Sequence, residues 1–142
     1  MTRRIFIIVE YDGAPFVGWQ RQDNGITVQQ KLEEAAFAFT GEHILVQGAG
    51  RTDSGVHALG QVAHLDVPEK FAPNRVMEAL NAHLSHTAIS VLDAYEVPDD
   101  AHARFSAIGR RYLYRILPRR QPPAIDAGRV WHHKQPLEAI AM

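Results

Sequence analysis

The alternation of strand-like and helix-like segments constrains this fold more than any other feature, and it begins at the N-terminus. Residues 3–12 (RRIFIIVEYD) are rich in β-branched and aromatic side chains and run into Asp12-Gly13, the pattern of a buried strand closed by a turn. Thr27 then caps a predicted helix whose apolar Val28, Leu32, Ala35, Ala36 and Phe39 recur at helical spacing, with Gly41 just past its end. Residues 44–47 read as a short strand, 48–60 as a glycine-rich loop, and 61–67 as a mostly apolar strand ending at Pro68. Pro73 suits the first turn of a second helix carrying Val76, Met77, Leu80 and Leu84, and 88–97 (AISVLDAYEV) is a further strand. The order is β-α-β-β-α-β, an α+β arrangement of the ferredoxin-like or RRM-like kind.

Downstream, residues 110–117 alternate so that Tyr112, Tyr114 and Ile116 share one side, which predicts a fifth strand for the sheet. Residues 129–132 form a candidate sixth strand after the Pro122-Pro123 loop, and Pro136 opens an apolar segment, 137–142, resembling the first turn of a helix. A chain that stops there looks cut. At 142 residues and 46% hydrophobic content, residues 1–142 are expected to bury one core and form a single domain.

Composition narrows the chemistry. There is no cysteine, so disulfides, thiolate metal sites and a cysteine nucleophile are excluded, in keeping with a reducing, cytoplasmic setting. After Arg3-Arg4 the apolar run stops at Val9, too short for an export signal, and no stretch has the length of a membrane span, so no membrane partner is expected. Charge is uneven: residues 1–100 carry 7 Lys/Arg against 14 Asp/Glu, a net −7, whereas residues 101–142 carry 8 against 2, a net +6. Such asymmetry suits either a localised basic surface that meets phosphates or a merely solvated charged face. His83-x-x-His86 and His132-His133 come nearest to metal-ligand pairs, but no carboxylate stands at matching spacing, and no metal is expected.

The stretch GAGRTDSGVHA, residues 48–58, is the chemically distinctive segment. Its glycines permit tight backbone paths, and its small residues leave space for a ligand. It is neither a dinucleotide fingerprint nor a P-loop, because it opens no helix and lacks both the third glycine and the Lys-Ser/Thr pair. Ser54 lacks the setting of a nucleophile elbow. From residue types alone, Asp53-Ser54-Gly55 also fits an ordinary turn in which Arg51 pairs with Asp53.

The order Gly50-Arg51-Thr52-Asp53-Ser54-Gly55-Val56-His57, followed by Gly60-Gln61-Val62, closely resembles the active-site motif of the TruA-type tRNA pseudouridine synthases. Further blocks resemble the same family in the same order: Glu10-Tyr11-Asp12-Gly13 with Gly18-Trp19-Gln20-Arg21-Gln22, Thr27-Val28-Gln29, Ala103-Arg104-Phe105-Ser106-Ala107, and Arg110-Arg111-Tyr112. The resemblance implies the N-terminal half of a catalytic region that pairs two related halves around a cleft, here with extra C-terminal strands. Ser54 departs from a frequent alanine. Ala101 stands where a phenylalanine often precedes the histidine, which puts an aromatic wedge in doubt there.

By that resemblance Asp53 is the catalytic aspartate, Arg51 the arginine of the same loop and Tyr112 the active-site tyrosine; Arg51 suits holding Asp53 ionised and oriented, then taking the flipped nucleotide's place or its phosphate, and Tyr112 offers a face to the flipped uracil and a hydroxyl to the base or Asp53. The implied reaction breaks the N1–C1′ bond of uridine, turns the base and rejoins it through C5. Asp53 would attack C1′ or C6, or assist C2′ deprotonation; the residues leave all three open. Ala101, His102, Ala103, Arg104 and Phe105 match the segment used for base flipping and tRNA contact, and Leu59, Gly60, Gln61, Val62 and Ala63 match a second. Arg21 and Gln22 are further candidates, and Arg110, Arg111, Arg115, Arg119 and Arg120 give the basic stretch a use. The family's substrate is tRNA, in the anticodon arm; its members are homodimers and need no cofactor. Two other readings are a non-catalytic RNA-binding module, against which 61–67 lacks the aromatic RNP pattern, and a small-molecule enzyme with an Asp-Arg site.

Overall fold

The computed structural model describes residues 1–137, which fall in two compact units, one ending at Ile108 and the other beginning at Gly109. The first unit contains β1 (Thr2–Tyr11), α1 (Val28–Thr40), β2 (Gln47–Gly48), β3 (Ala58–Pro68), α2 (Pro73–Leu84) and β4 (Ile89–Val97). The β-α-β-β-α-β order is as expected, and the class is α+β. The sheet is antiparallel with strand order β2-β3-β1-β4.

The hydrophobic pattern dictates which face the helices cover. Every second residue of β1, Ile5, Ile7, Val9 and Tyr11, is buried, and β3 sets Leu65 opposite Ile5 and Ala63 opposite Ile7. These meet Val28, Leu32 and Ala36 of α1 and Val76, Leu80 and Leu84 of α2 in one core. Complete burial of a side chain such as Leu80 contributes on the order of 2 kcal/mol. Thr27 caps α1 as anticipated, its hydroxyl accepting from Gln30 N, and Gly41 closes the helix with its N–H on Phe37 O. Asn81 of α2 braces β4 where the ladder is irregular: its amide donates to Val91 O at 2.9 Å and accepts from Val91 N at 2.8 Å.

The other face of the sheet carries Arg4, Phe6, His64, Asp66 and Tyr95. The Arg4 guanidinium holds both carboxylate oxygens of Asp66, at 2.9 and 3.0 Å, and donates to Ala101 O at 2.8 Å. That last bond brings residues 101–106 onto this face.

Two strand expectations are corrected. Of residues 44–47 only Gln47 is in a strand; pairing is confined to Gln47–Gly48, because the backbone of Val46 is satisfied by α1 side chains, its N–H by Glu33 Oε2 and its carbonyl by Gln29 Nε2. Residues 110–117 do not add a fifth strand to the sheet. Only β5 (Ile116–Pro118) is extended, and it pairs in parallel with β6 (Trp131–His133) as a separate two-stranded sheet in the second unit. Residues 110–115 are exposed and without regular structure, since alternation alone supplies no partner. The predicted terminal helix, apart from Leu137, lies outside the described residues. No helix among the described residues is long and apolar enough to cross a membrane.

Candidate active site

The glycine-rich loop leaves the sheet at β2 and rejoins it at β3, and its backbone is clasped by the chain that follows β1. Trp19 N–H donates to Thr52 O at 3.0 Å, the Tyr11 hydroxyl lies 2.7 Å from Thr52 Oγ1, and Ser54 Oγ donates to Phe16 O at 3.2 Å. Two glycines make this closeness possible. A Cβ on Gly13 would sit 2.0 Å from Val56 O, and one on Gly18, which has φ 95°, would sit 2.7 Å from Thr52 O. Below the loop Trp19 is buried, with Gly48 against its indole and Tyr11 at 6.2 Å between ring centroids. Gln61 Nε2 donates to Gly50 O at 2.5 Å, and Ala49 N to Val62 O at 2.8 Å.

Burial holds the Tyr11 phenol above its ordinary pKa, against the opposing pull of hydrogen bonds to Thr52 and Gln61. His57 Nδ1 stands 2.9 Å from Gly13 N and 3.1 Å from Asp12 Oδ1. These contacts tie the far end of the loop to the β1 turn.

Held in this way, the loop presents Asp53 outward. Its carbonyl accepts Val56 N–H at 3.1 Å, closing a turn through Ser54-Gly55, and its side chain is exposed. Nothing lies within 4 Å of where a Cβ on Gly55 would be, so the space over the turn is open. Arg51 is exposed too, and the Arg51–Asp53 ion pair expected from sequence is not formed among the described residues. The physical reason is solvation: an exposed pair gains about 0 to 1 kcal/mol, too little to hold two side chains together.

Leu59 and Gly60 continue from the loop as exposed residues of β3, Gln61 and Val62 are half-buried, and Ala63 is in the core. Residues 101–106 form a compact turn. His102 Nδ1 accepts from Arg104 N at 3.1 Å and Phe105 N at 3.3 Å, and Ser106 N donates to His102 O at 2.9 Å. With Nδ1 an acceptor, the ring proton sits on Nε2 and points at Gln47 Oε1, 3.0 Å away. Phe105 is 77% exposed, its ring 4.3 Å from that of His102 and 5.7 Å from the Arg104 guanidinium. Gln47 belongs to β2, so the turn is tied to the strand from which the Asp53 loop departs.

Arg21 is exposed, but its guanidinium is engaged by Glu33 at 2.9 Å, and Gln22 Nε2 donates to Val17 O. Tyr112 belongs to the second unit and is 64% exposed. In that unit Arg115 pairs with Asp126 at 3.4 Å, Arg119 donates to the Gln121 and Pro122 carbonyls, and Arg110, Arg111 and Arg120 are exposed. No group of three His, Asp or Glu side chains suited to a metal occurs among the described residues.

Sequence reading gave no role to Tyr11, Trp19, Gln47 or His64, which support the site from beneath. Tyr11 and Trp19 did stand inside the blocks that carried the resemblance, and those blocks prove to be the clasp.

Comparison with known proteins gives the family. Residues 7–106 match the tRNA pseudouridine synthase family, a span that contains the clasp, the loop and the 101–106 turn. Over 139 residues the chain is 60% identical to tRNA pseudouridine synthase A of Rhodospirillum rubrum, 55% to that of a Caulobacter species and 52% to that of Zymomonas mobilis. In each case 98% of this chain is aligned, with 50%, 56% and 57% of the relative, so the chain spans about half the length of the curated relatives it matches. On the match and these identities together, this chain belongs to the tRNA pseudouridine synthase family.

Proposed function

We propose that the protein carrying this chain isomerises uridine to pseudouridine in the anticodon stem-loop of tRNA, with Asp53 as its nucleophile. The observation that carries the reading is the clasped loop: backbone bonds and two close glycine contacts fix residues 52–56 from below while the Asp53 carboxylate stands open above. A group that must reach a ribose or a base needs this combination of a held backbone and a free approach. In the reaction the N1–C1′ bond breaks and a C5–C1′ bond forms; the C5 proton leaves and N1 takes one up.

The exposed Arg104 and Phe105, with Leu59 and Gly60, offer a cation, an aromatic face and bare backbone to a nucleotide drawn out of its stack. Arg51 is available to a phosphate rather than committed to Asp53. Tyr112 is assigned to the flipped uracil, and the arginines from 110 to 120 to the RNA backbone. The full-length protein acts as a cytoplasmic homodimer without a cofactor.

The deciding measurement is tritium release from 5-³H-uridine tRNA by the full-length protein. Asp53→Ala is expected to abolish it without altering thermal unfolding; turnover retained by that variant would sink the assignment. Single-uridine tRNA variants in the same assay locate the target.

A further inference from the structure

His64 is the one histidine buried in the first unit, 2% exposed, in the middle of β3 and on the sheet face away from the helices. Its Nδ1 accepts the N–H of Ala103 at 3.0 Å, a bond between residues 39 apart in sequence. Its ring meets that of His102 edge-on, centroids 4.5 Å apart, and lies nearly parallel to Phe6 at 6.2 Å. Arg4, bound to Asp66, holds the Ala101 carbonyl on the same side. The 101–106 turn has few other attachments to the sheet: His102 reaches Gln47, and Ala103 alone of its residues is buried.

We infer that His64 is a positioning residue for this turn: its buried Nδ1 anchors Ala103, its ring backs His102, and together they fix Arg104 and Phe105 at the sheet edge from which the Asp53 loop departs. An N–H buried without a partner is costly, so removing the acceptor frees the turn rather than leaving it in place. The inference rests on the reading of 101–105 as an RNA-contacting segment, and it adds the residue that sets where that segment stands.

The test compares His64→Phe, which keeps a ring but has no acceptor, with His64→Asn, whose carbonyl oxygen reaches the place of Nδ1, in the full-length protein. His64→Phe is expected to raise KM for tRNA about tenfold, the weight of one lost hydrogen bond, with kcat within about twofold. Amide exchange should quicken at 103–105 and stay unchanged in α1 and α2. His64→Asn should restore KM and protection at Ala103. Should His64→Phe fail to fold, His64→Gln, of like polarity but with its oxygen one carbon further out, replaces it and is expected to be weaker than His64→Asn.

Unchanged exchange at 103–105 in His64→Phe, or a KM unchanged in His64→Phe while Arg104→Ala with Phe105→Ala raises it, or His64→Asn no better than His64→Phe or His64→Gln, overturns the inference. The underlying reading has its own control. If Arg104→Ala with Phe105→Ala leaves KM unchanged, the segment does not grip RNA, while exchange at Ala103 still decides whether His64 holds the turn.

Discussion

The Tyr11 hydroxyl and Thr52 Oγ1 lie 2.7 Å apart, joining the last residue of β1 to the residue before Asp53. Tyr11 is buried and its phenol is held neutral by that burial, so the pair is a fixed strut and not a titrating one. Tyr11→Phe keeps the ring against Trp19 and removes only the hydroxyl; Thr52→Val removes its counterpart. Each is expected to cost about 1 kcal/mol in urea unfolding, and the double variant about as much as either single one rather than their sum. On the proposed reading of Asp53 as nucleophile, Tyr11→Phe in the full-length protein should lower kcat between about 10- and 100-fold, because a loosened loop misplaces Asp53. A strictly additive cycle would show that the two hydroxyls are not coupled.

That strut also marks where legibility in the sequence ended. Element order was readable because the apolar periods of Ile5, Ile7 and Val9, and of Val28, Leu32 and Ala36, are local. Thr27 and Gly41 were readable as caps because their reasons are local too. The contacts that shape the site span large separations, 41 residues from Tyr11 to Thr52 and 39 from His64 to Ala103, and no local period encodes them. Val46 looked like strand because it is apolar and β-branched; it is buried, but its backbone bonds go to Gln29 and Glu33 of α1. Arg51 beside Asp53 suggested a pair on charge alone, and solvent exposure of both removed the reason to form it.

A second prediction follows from the close approach at Gly13. The Cβ of Gly13→Ala would meet the Val56 carbonyl oxygen at 2.0 Å, a methyl group against backbone that cannot rotate away, so the clasp has to open. The expected loss is about 2 to 3 kcal/mol in unfolding free energy, together with most of the tRNA turnover. Gly41→Ala is the control. It has φ 75° but nothing within 4 Å, so it pays only the left-handed penalty of about 1 kcal/mol, with activity unchanged. Equal losses at the two positions would mean that contact at the loop is not what Gly13 provides.

The pH dependence of stability has a calculable sign through His64. Burial, with help from the nearby Arg4 charge and the His102 ring, lowers its pKa from 6.5 to about 4, while Asp66 pulls the other way. The unfolded chain therefore binds the proton more readily than the folded one throughout the interval from about 4 to 6.5. Stability must fall as pH falls across that interval, and it is fully present above it. The geometry gives the same sign, since a proton on Nδ1 removes the acceptor of Ala103 N–H. Asp66 acts at still lower pH: its hydrogen bonds to Arg4 hold its carboxyl below the usual range, so its contribution is lost only under more acid conditions. Urea midpoints of the wild-type chain are thus expected to drop between pH 6.5 and 4, and His64→Asn, which has no proton to gain, should flatten the slope there. An unchanged slope in that variant would assign the acid loss to other groups, and the Ala103 anchor would then be indifferent to pH.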